Sequence, residues 1–250
     1  MNILITGVTS GFGLAMAKRL IKDNHTVIGT GRRADKLSDI KDELGEQIIP
    51  LCFDIGNLDD TKSALDSLDK ALLNNIDVLI NNAGLALGLE SADKADISDW
   101  QAMINTNITG LVSITNLVLP KMVAKNSGLV INIGSTAGNY PYFGANIYGA
   151  SKAFVKQFSL NLRADLIGKN IRVTNIEPGL CGGTEFSHIR FKGDDEKAKK
   201  LYEKVDYIRP EDIADMVSYV INLPPHININ RLEVMPVAQT FAGLTVVRDL

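Results

Sequence analysis

The sequence predicts one α/β domain, a doubly wound parallel sheet of about seven strands with helices on both faces. Three observations predict it. A short apolar strand at the N-terminus runs straight into a glycine-rich turn and then a helix. β-Branched apolar segments then alternate with helical ones as far as residue 235. Finally, the 250 residues contain no linker, internal repeat or low-complexity stretch, and an α/β chain of this size is often a single domain.

The elements follow in order. Residues 2–6 read as a buried strand, Gly7-Val-Thr-Ser-Gly-Phe-Gly13 as a turn, and 14–20 as helical by periodicity. Such a turn presents the unpaired N–H groups and partial positive charge of a helix N-terminus to a phosphate. Its glycines let the backbone approach a pyrophosphate. The spacing is G-x-x-x-G-x-G rather than the dinucleotide fingerprint G-x-G-x-x-G, so an ordinary glycine-rich turn remains an alternative here. Residues 26–30 are the second strand and 34–44 a helix. Residues 48–53 form the third strand, ending at Asp54, and 58–73 a helix. The fourth strand is 76–81, followed by a long helix over 98–125 that Ser98 can cap. Strand five, 129–133, runs into Gly134-Ser135, and 146–167 is a helix. Strand six, 171–176, is closed by Pro178-Gly179. A helix over 210–222 starts on a proline, and 232–235 is the seventh strand. The least regular stretch is 183–207, with a charged run from Lys192 to Lys200. It reads either as a solvated surface helix or as a lid, because ligands bind at the carboxyl ends of the strands and this insert follows strand six there.

Charge and composition narrow the classes. A net charge of −3 gives no reason to expect a nucleic-acid partner. The N-terminus lacks a cleavable signal pattern, and the apolar runs look too short to span a bilayer. Cys52 and Cys181 have no metal-ligand spacing, so a reduced, cytoplasmic protein without a metal is the simplest reading. His25, His188 and His226 are scattered and read as surface or loop residues.

The chemistry sits in Tyr148-Gly-Ala-Ser-Lys152, with Ser135 thirteen residues before the tyrosine. At i and i+4 on a helix the two side chains share a face, about 5–6 Å apart at Cβ. A free phenol titrates at about pH 10 and is a poor base at neutral pH. A nearby ammonium is expected to lower that value. A serine hydroxyl from a neighbouring strand end can hold a substrate oxygen beside the pair. The set is a proton-transfer device for an alcohol or a carbonyl.

Taken with Thr6 to Gly13, Asp54, Asn81-Asn-Ala-Gly84, Asn107 and Pro178-Gly179, these residues resemble the short-chain dehydrogenase/reductase family over the whole chain. A closer resemblance is to its NADP-dependent 3-hydroxy acid dehydrogenases. It is carried by Thr30-Gly-Arg-Arg33, Asn132-Ile-Gly-Ser-Thr-Ala-Gly138, Glu177-Pro-Gly-Leu-Cys-Gly-Gly-Thr-Glu-Phe186, Arg190-Phe-Lys-Gly-Asp-Asp195 and His226-Ile-Asn-Ile-Asn230. The resemblance implies a Rossmann-type fold, with residues 1–250 as one dinucleotide-binding and catalytic domain and a substrate lid at 183–207. It implies that Tyr148 is the general acid or base and that Lys152 lowers its pKa and holds the nicotinamide ribose. Ser135 would steady the substrate oxygen. Asn107 would bind a water linking the lysine to solvent, or serve as a polar kink in its helix. The cofactor site would comprise Gly7, Thr9, Ser10, Gly11, Phe12, Gly13, Asp54, Ile55, Asn81, Ala83, Gly84, Pro178, Gly179, Gly182 and Thr184, with Tyr148 and Lys152. The stretch from Asn81 to Gly84 reads almost as well as a structural turn. Family members are often tetramers, so a homotetramer is expected, assembled in part through residues 236–250.

Cofactor choice follows from the residues. The turn after strand two reads Gly31-Arg32-Arg33, with no acid before Asp35. An acid there accepts from the ribose 2′-hydroxyl of NAD, whereas guanidinium forks bind phosphate bidentately. NADP is therefore expected, with Arg32 and Arg33 on the 2′-phosphate. The expected activity is hydride transfer between NADP(H) and a small 3-hydroxy acid. Reduction of another ketone, sugar or 3-ketoacyl group, and non-catalytic dinucleotide binding, are the alternatives. A small carboxylate needs a cation, and Arg190, with Ser135 and Tyr148, would form its site. Lys192 is the other candidate, and both cations can equally be solvated charges.

Overall fold

The computed structural model describes residues 1–242 and residue 246. The strands are β1 (Asn2–Ile5), β2 (Thr26–Gly31), β3 (Ile48–Cys52), β4 (Ile76–Asn81), β5 (Gly128–Ile133), β6 (Ile171–Pro178) and β7 (Arg231–Val234). They form one parallel sheet in the order β3-β2-β1-β4-β5-β6-β7. The sequence leaves β1 on one side for β2 and β3 and returns on the other for β4. This reversal opens a crevice at the carboxyl ends of the strands, where open α/β sheets bind ligands.

Burial on both faces explains the strand composition. Successive residues point to opposite faces, so Ile3 and Ile5 enter one core and Leu4 the other. The first core packs beneath α1 (Gly11–Lys22), α2 (Ala34–Leu44) and α10 (Pro210–Asn222). The second packs beneath α3 (Leu58–Asp66), α6 (Leu111–Ala124) and α7 (Asn146–Asp165). β7 is one edge of the sheet, and its residues alternate between exposed and half-buried.

Three expectations need correcting. The helix expected over 58–73 is two: α3 ends at Asp66, and α4 (Lys70–Asn74) starts afresh where Asp69 accepts from the Ala71 and Leu72 N–H groups. The long helix is capped by Asp96, whose Oδ1 accepts from the Ser98 N–H at 2.8 Å, not by Ser98. It also changes winding: α5 (Ile97–Ile104) passes through a π-helical segment, Asn105–Gly110, into α6. That continuous rod, Ile97–Ala124, is long and apolar enough to cross a bilayer, contrary to the sequence reading. Ile114, Val118 and Met122 are instead fully buried against the sheet.

The turn after β1 is set by close packing. A Cβ on Gly13 would fall 2.0 Å from the Gly7 carbonyl oxygen, so the first turn of α1 rests directly on the glycine loop. Gly13→Ala is expected to lower stability by about 1–3 kcal/mol, the usual cost of overpacking, because backbone cannot retreat as a side-chain tip can. Urea denaturation checks this, and an unchanged midpoint would show that the turn opens freely.

Candidate active site

A cleft of ≈ 850 Å³ runs along the carboxyl ends of the strands. Gly7, Arg32, Ala83, Ser135 and Pro178 line its strand side, and residues of the 183–207 insert close the other. The insert carries α8 (Phe186–Arg190) and α9 (Asp195–Tyr202). Its charged run is largely solvated helix, as one of the two readings expected.

The loop after β4 braces the loop after β1. Asn82 Nδ2 donates to the Thr6 and Gly7 carbonyls at 2.8 and 3.0 Å. Thr6 Oγ1 accepts from the Asn82 and Ala83 N–H groups. Gly7 and Gly11 stand at φ +74° and +53°, a region that favours glycine. The Ser10 side chain makes no cap bond to α1, so the first-turn amides are left for a ligand.

Arg32 and Arg33 both line the cleft. Arg32 lies 3.9 Å from an Asp54 carboxylate oxygen. Arg33 donates to Thr9 Oγ1 at 3.0 Å and holds both Glu185 carboxylate oxygens.

Ser135 opens the turn after β5. Its Oγ accepts from the Ala137 N–H at 3.1 Å and hydrogen-bonds the Tyr148 phenol. Tyr148 and Lys152 project from α7 into the cleft, both buried. Lys152 Nζ donates to the Ile133 carbonyl at 2.8 Å and lies 5.9 Å from the Tyr148 ring centre. Asn107, in the π-helical segment, accepts from the Leu85 N–H and donates to the Leu85 carbonyl and to Ser151 Oγ. Both its donors are spent, and its Oδ1 faces Gly84 alongside Lys152 Nζ.

Electrostatics reverse one expectation. Burial pushes the Tyr148 phenol well above its ordinary value, which outweighs the Ser135 hydrogen bond and the Arg190 charge that pull it down. The Lys152 ammonium is aimed at the Ile133 carbonyl and is itself desolvated. Burial draws Lys152 down to about 8.

Other expected residues fall in two groups. Thr9, Ser10, Gly11, Phe12, Asp54, Ile55, Ala83, Gly84, Gly179 and Thr184 line the cleft. Gly13, Asn81 and Gly182 do not. Gly13 is a packing residue, Gly182 lies against the Tyr207 ring, and Asn81 is buried, donating to Thr115 Oγ1 and Asn132 Oδ1. Asn82, Glu185 and Tyr142 line the cleft without having been singled out, and Phe186 and Phe191 line it as the lid reading expects. Asn82 was legible, since it sits in the same Asn-Asn pair and strand alternation decides which one faces the cleft.

Arg190 and Lys192 part company. Lys192 reaches Asp99 at 2.8 Å, outside the cleft. The Arg190 guanidinium lies 5.3 Å from the Tyr142 ring centre and 5.6 Å from that of Tyr148. Its Nε donates weakly to the Gly88 carbonyl, and its buried Nη2 has no partner among the described residues.

Residues 1–195 match the family described as short chain dehydrogenase. The chain belongs to that family. This dehydrogenase is 59% identical over 246 residues to a probable NADP-dependent dehydrogenase of Haemophilus influenzae, covering 98% of this chain and 97% of that one. It is 55% identical over 249 residues to the NADP-dependent 3-hydroxy acid dehydrogenase YdfG of Escherichia coli K12, covering all of both chains. Among solved structures, the closed form of serine dehydrogenase complexed with NADP+ matches with a TM-score of 0.95 and 55% identity, again covering all of both chains.

The dehydrogenase's buried lysine makes a stability prediction. Its drop from 10.5 to about 8 corresponds to about 3 kcal/mol of cost in burying the ammonium. Below pH 8 both folded and unfolded chains carry the proton, and the whole cost is present. Between about 8 and 10.5 only the unfolded chain keeps it, so the cost is relieved as pH rises. Lys152→Met removes that cost together with the hydrogen bond to the Ile133 carbonyl, so the change of the difference with pH is the informative readout. The parent should gain on it by about 2 kcal/mol by pH 10, read from urea midpoints at both pH values. A difference that stays flat with pH would mean that the lysine titrates normally.

Proposed function

We propose that this dehydrogenase transfers a hydride between NADP(H) and a small 3-hydroxy acid or its 3-oxo partner. The observation that carries the reading is Arg190, a guanidinium beside the Ser135–Tyr148 pair whose buried Nη2 has no partner among the described residues. A buried donor without a partner is costly. A substrate carboxylate would satisfy it while its hydroxyl-bearing carbon lay next to the proton-transfer group.

The cleft fits the dinucleotide. Free helix amides and glycines without room for a Cβ suit the pyrophosphate. Arg32 and Arg33 suit the 2′-phosphate. Lys152, beside Gly84, suits the nicotinamide ribose. Bound there, the nicotinamide supplies or accepts the hydride. The Tyr148 phenol donates the proton to the carbonyl oxygen in reduction and takes it back in oxidation. Its raised pKa keeps it protonated and so ready as the acid. The Ser135 hydroxyl holds the same oxygen. Asn107 fixes the Leu85 backbone that walls the site. Residues 183–207 act as a lid, with Phe186 set 5.7 Å from the Tyr148 ring to exclude water. The reading includes a cytoplasmic location.

Tyr148→Phe is expected to fold, to bind NADPH and to lose about 10²–10⁴-fold in kcat, the usual worth of general acid–base catalysis. Retention of most of kcat would remove the phenol from the mechanism. Arg190→Ala is expected to lower kcat/KM for serine by about tenfold or more, as a charged hydrogen bond of about 1.5–3 kcal/mol requires. An uncharged alcohol analogue should barely respond, and equal losses would make Arg190 a loop-structure residue instead.

The reading also includes a homotetramer assembled in part through residues 236–250. Val237 is 98% exposed and Phe241 61%, and exposed apolar groups often mark interfaces. Leu244 and most of the tail beyond lie outside the described residues. Light scattering at micromolar concentration should give the tetramer mass, and a monomer would rule it out.

A further inference from the structure

No acid stands on the turn after β2, yet a carboxylate reaches the Arg33 fork from across the cleft. Arg33 Nη1 donates to Glu185 Oε1 at 3.3 Å and Nη2 to Oε2 at 3.0 Å. The same Nη2 is oriented by Thr9, at 3.0 Å from its hydroxyl and 3.2 Å from its carbonyl. The Ser10 side chain also hydrogen-bonds Glu185. The neighbouring Thr184 packs on the glycine loop, its Cγ2 standing 3.1 Å from where a Gly11 Cβ would be. Glu185 therefore takes a guanidinium fork and a loop serine, donors that suit a phosphate monoester as well as a carboxylate.

A carboxylate and a phosphate cannot share one fork without mutual repulsion. A ribose 2′-hydroxyl can sit beside Glu185 and donate to it, which is the contact that an acid at the end of the second strand makes in NAD enzymes. We infer that Glu185 is a specificity-determining residue that competes with the 2′-phosphate of NADP for Arg33, weakening the hold on the phosphorylated cofactor relative to the unphosphorylated one. The inference rests on the proposed reading that Arg33 receives the 2′-phosphate. The competition is moderate, because the Arg33 and Glu185 side chains are 41% and 45% exposed and water screens them. A moderate brake suits an enzyme that must release its cofactor each turnover.

The test is calorimetric binding of adenosine 2′,5′-bisphosphate and of 5′-AMP to the parent, Glu185→Gln, Arg33→Ala and the double variant, each checked by thermal melting. Glu185→Gln keeps the shape and removes the charge. It should tighten the bisphosphate by about threefold or more and leave AMP within about twofold. That gain should shrink as salt rises and vanish in the Arg33→Ala background. If Glu185→Gln leaves the bisphosphate unchanged, weakens it, or shifts both ligands equally, the inference is overturned. A gain that persists without Arg33 overturns it too. The single Arg33→Ala variant separates the two failures. If it keeps the parent's preference for the bisphosphate, the phosphate reading of Arg33 falls, and this inference with it. If it loses that preference while Glu185→Gln gains nothing, the inference falls alone.

Discussion

The geometry of the site depends on how α7 is seated against the end of β5. Two side chains fix the seat. Lys152 Nζ donates to the Ile133 carbonyl, and Asn132 Nδ2 donates at 2.8 Å to Ser159 Oγ, two turns further along the helix. Between them the backbones nearly touch. A Cβ on Gly138 would fall 2.6 Å from the Lys152 carbonyl carbon. With rotation and height both set, Tyr148 faces Ser135 and cannot turn away without breaking buried hydrogen bonds, which are costly to leave unmade. Asn81 extends the tie to β4 and α6 through Asn132 and Thr115. Its place is behind the site, where it stiffens the support.

The same burial sets the proton chemistry. A dry pocket disfavours whichever form is charged. The phenol therefore rises and the ammonium falls, and the two groups share a preference for neutrality. Arg190 opposes this for Tyr148 by lowering its pKa. A ligand that brings negative charge beside Lys152 raises the lysine's pKa and restores its ammonium. The protonation state of the pair is thus set by what is bound as much as by the side chains.

Much of this was legible from the order of residues. β4 and α10 fall within the ranges that the apolar pattern predicts, because buried parallel strands and proline-started helices have strong local signals. The period of the helix alone puts Tyr148 and Lys152 on one face. What the order conceals is whatever depends on distant partners. The break between α3 and α4 turns on Asp69 capping a new helix rather than continuing the old one, and an aspartate at that spacing looks the same either way. Within the π-helical segment Gly110 meets the Ile55 carbonyl, where a Cβ would come within 2.8 Å, an approach that only the fold reveals. The direction of the tyrosine's shift depends on burial, which spacing does not report. Glu185 is 152 residues from Arg33 in sequence, and only the fold brings them together.

The proposed lid explains why Arg190, and not Lys192, is left for a substrate. Among the described residues, the insert is tied down by Glu185 on Arg33, by Arg190, whose carbonyl accepts from the Gly88 N–H and whose Nε donates to the Gly88 carbonyl, and by Lys192 on Asp99. Lys192 is spent on the outermost fastening, where its side chain is 58% exposed. Arg190 lies two residues earlier on the inward side, stacked on two tyrosines that hold it flat without consuming its Nη2. Two of these ties are ion pairs, and the one between Arg33 and Glu185, half-exposed on both sides, is worth at most about 1 kcal/mol in water. Positive-φ Gly183 and Gly193 flank α8, where the backbone can bend at little cost. On the proposed lid reading the insert lifts without unmaking the core, and its seated position sets a cation at the substrate pocket and an anion at the phosphate fork.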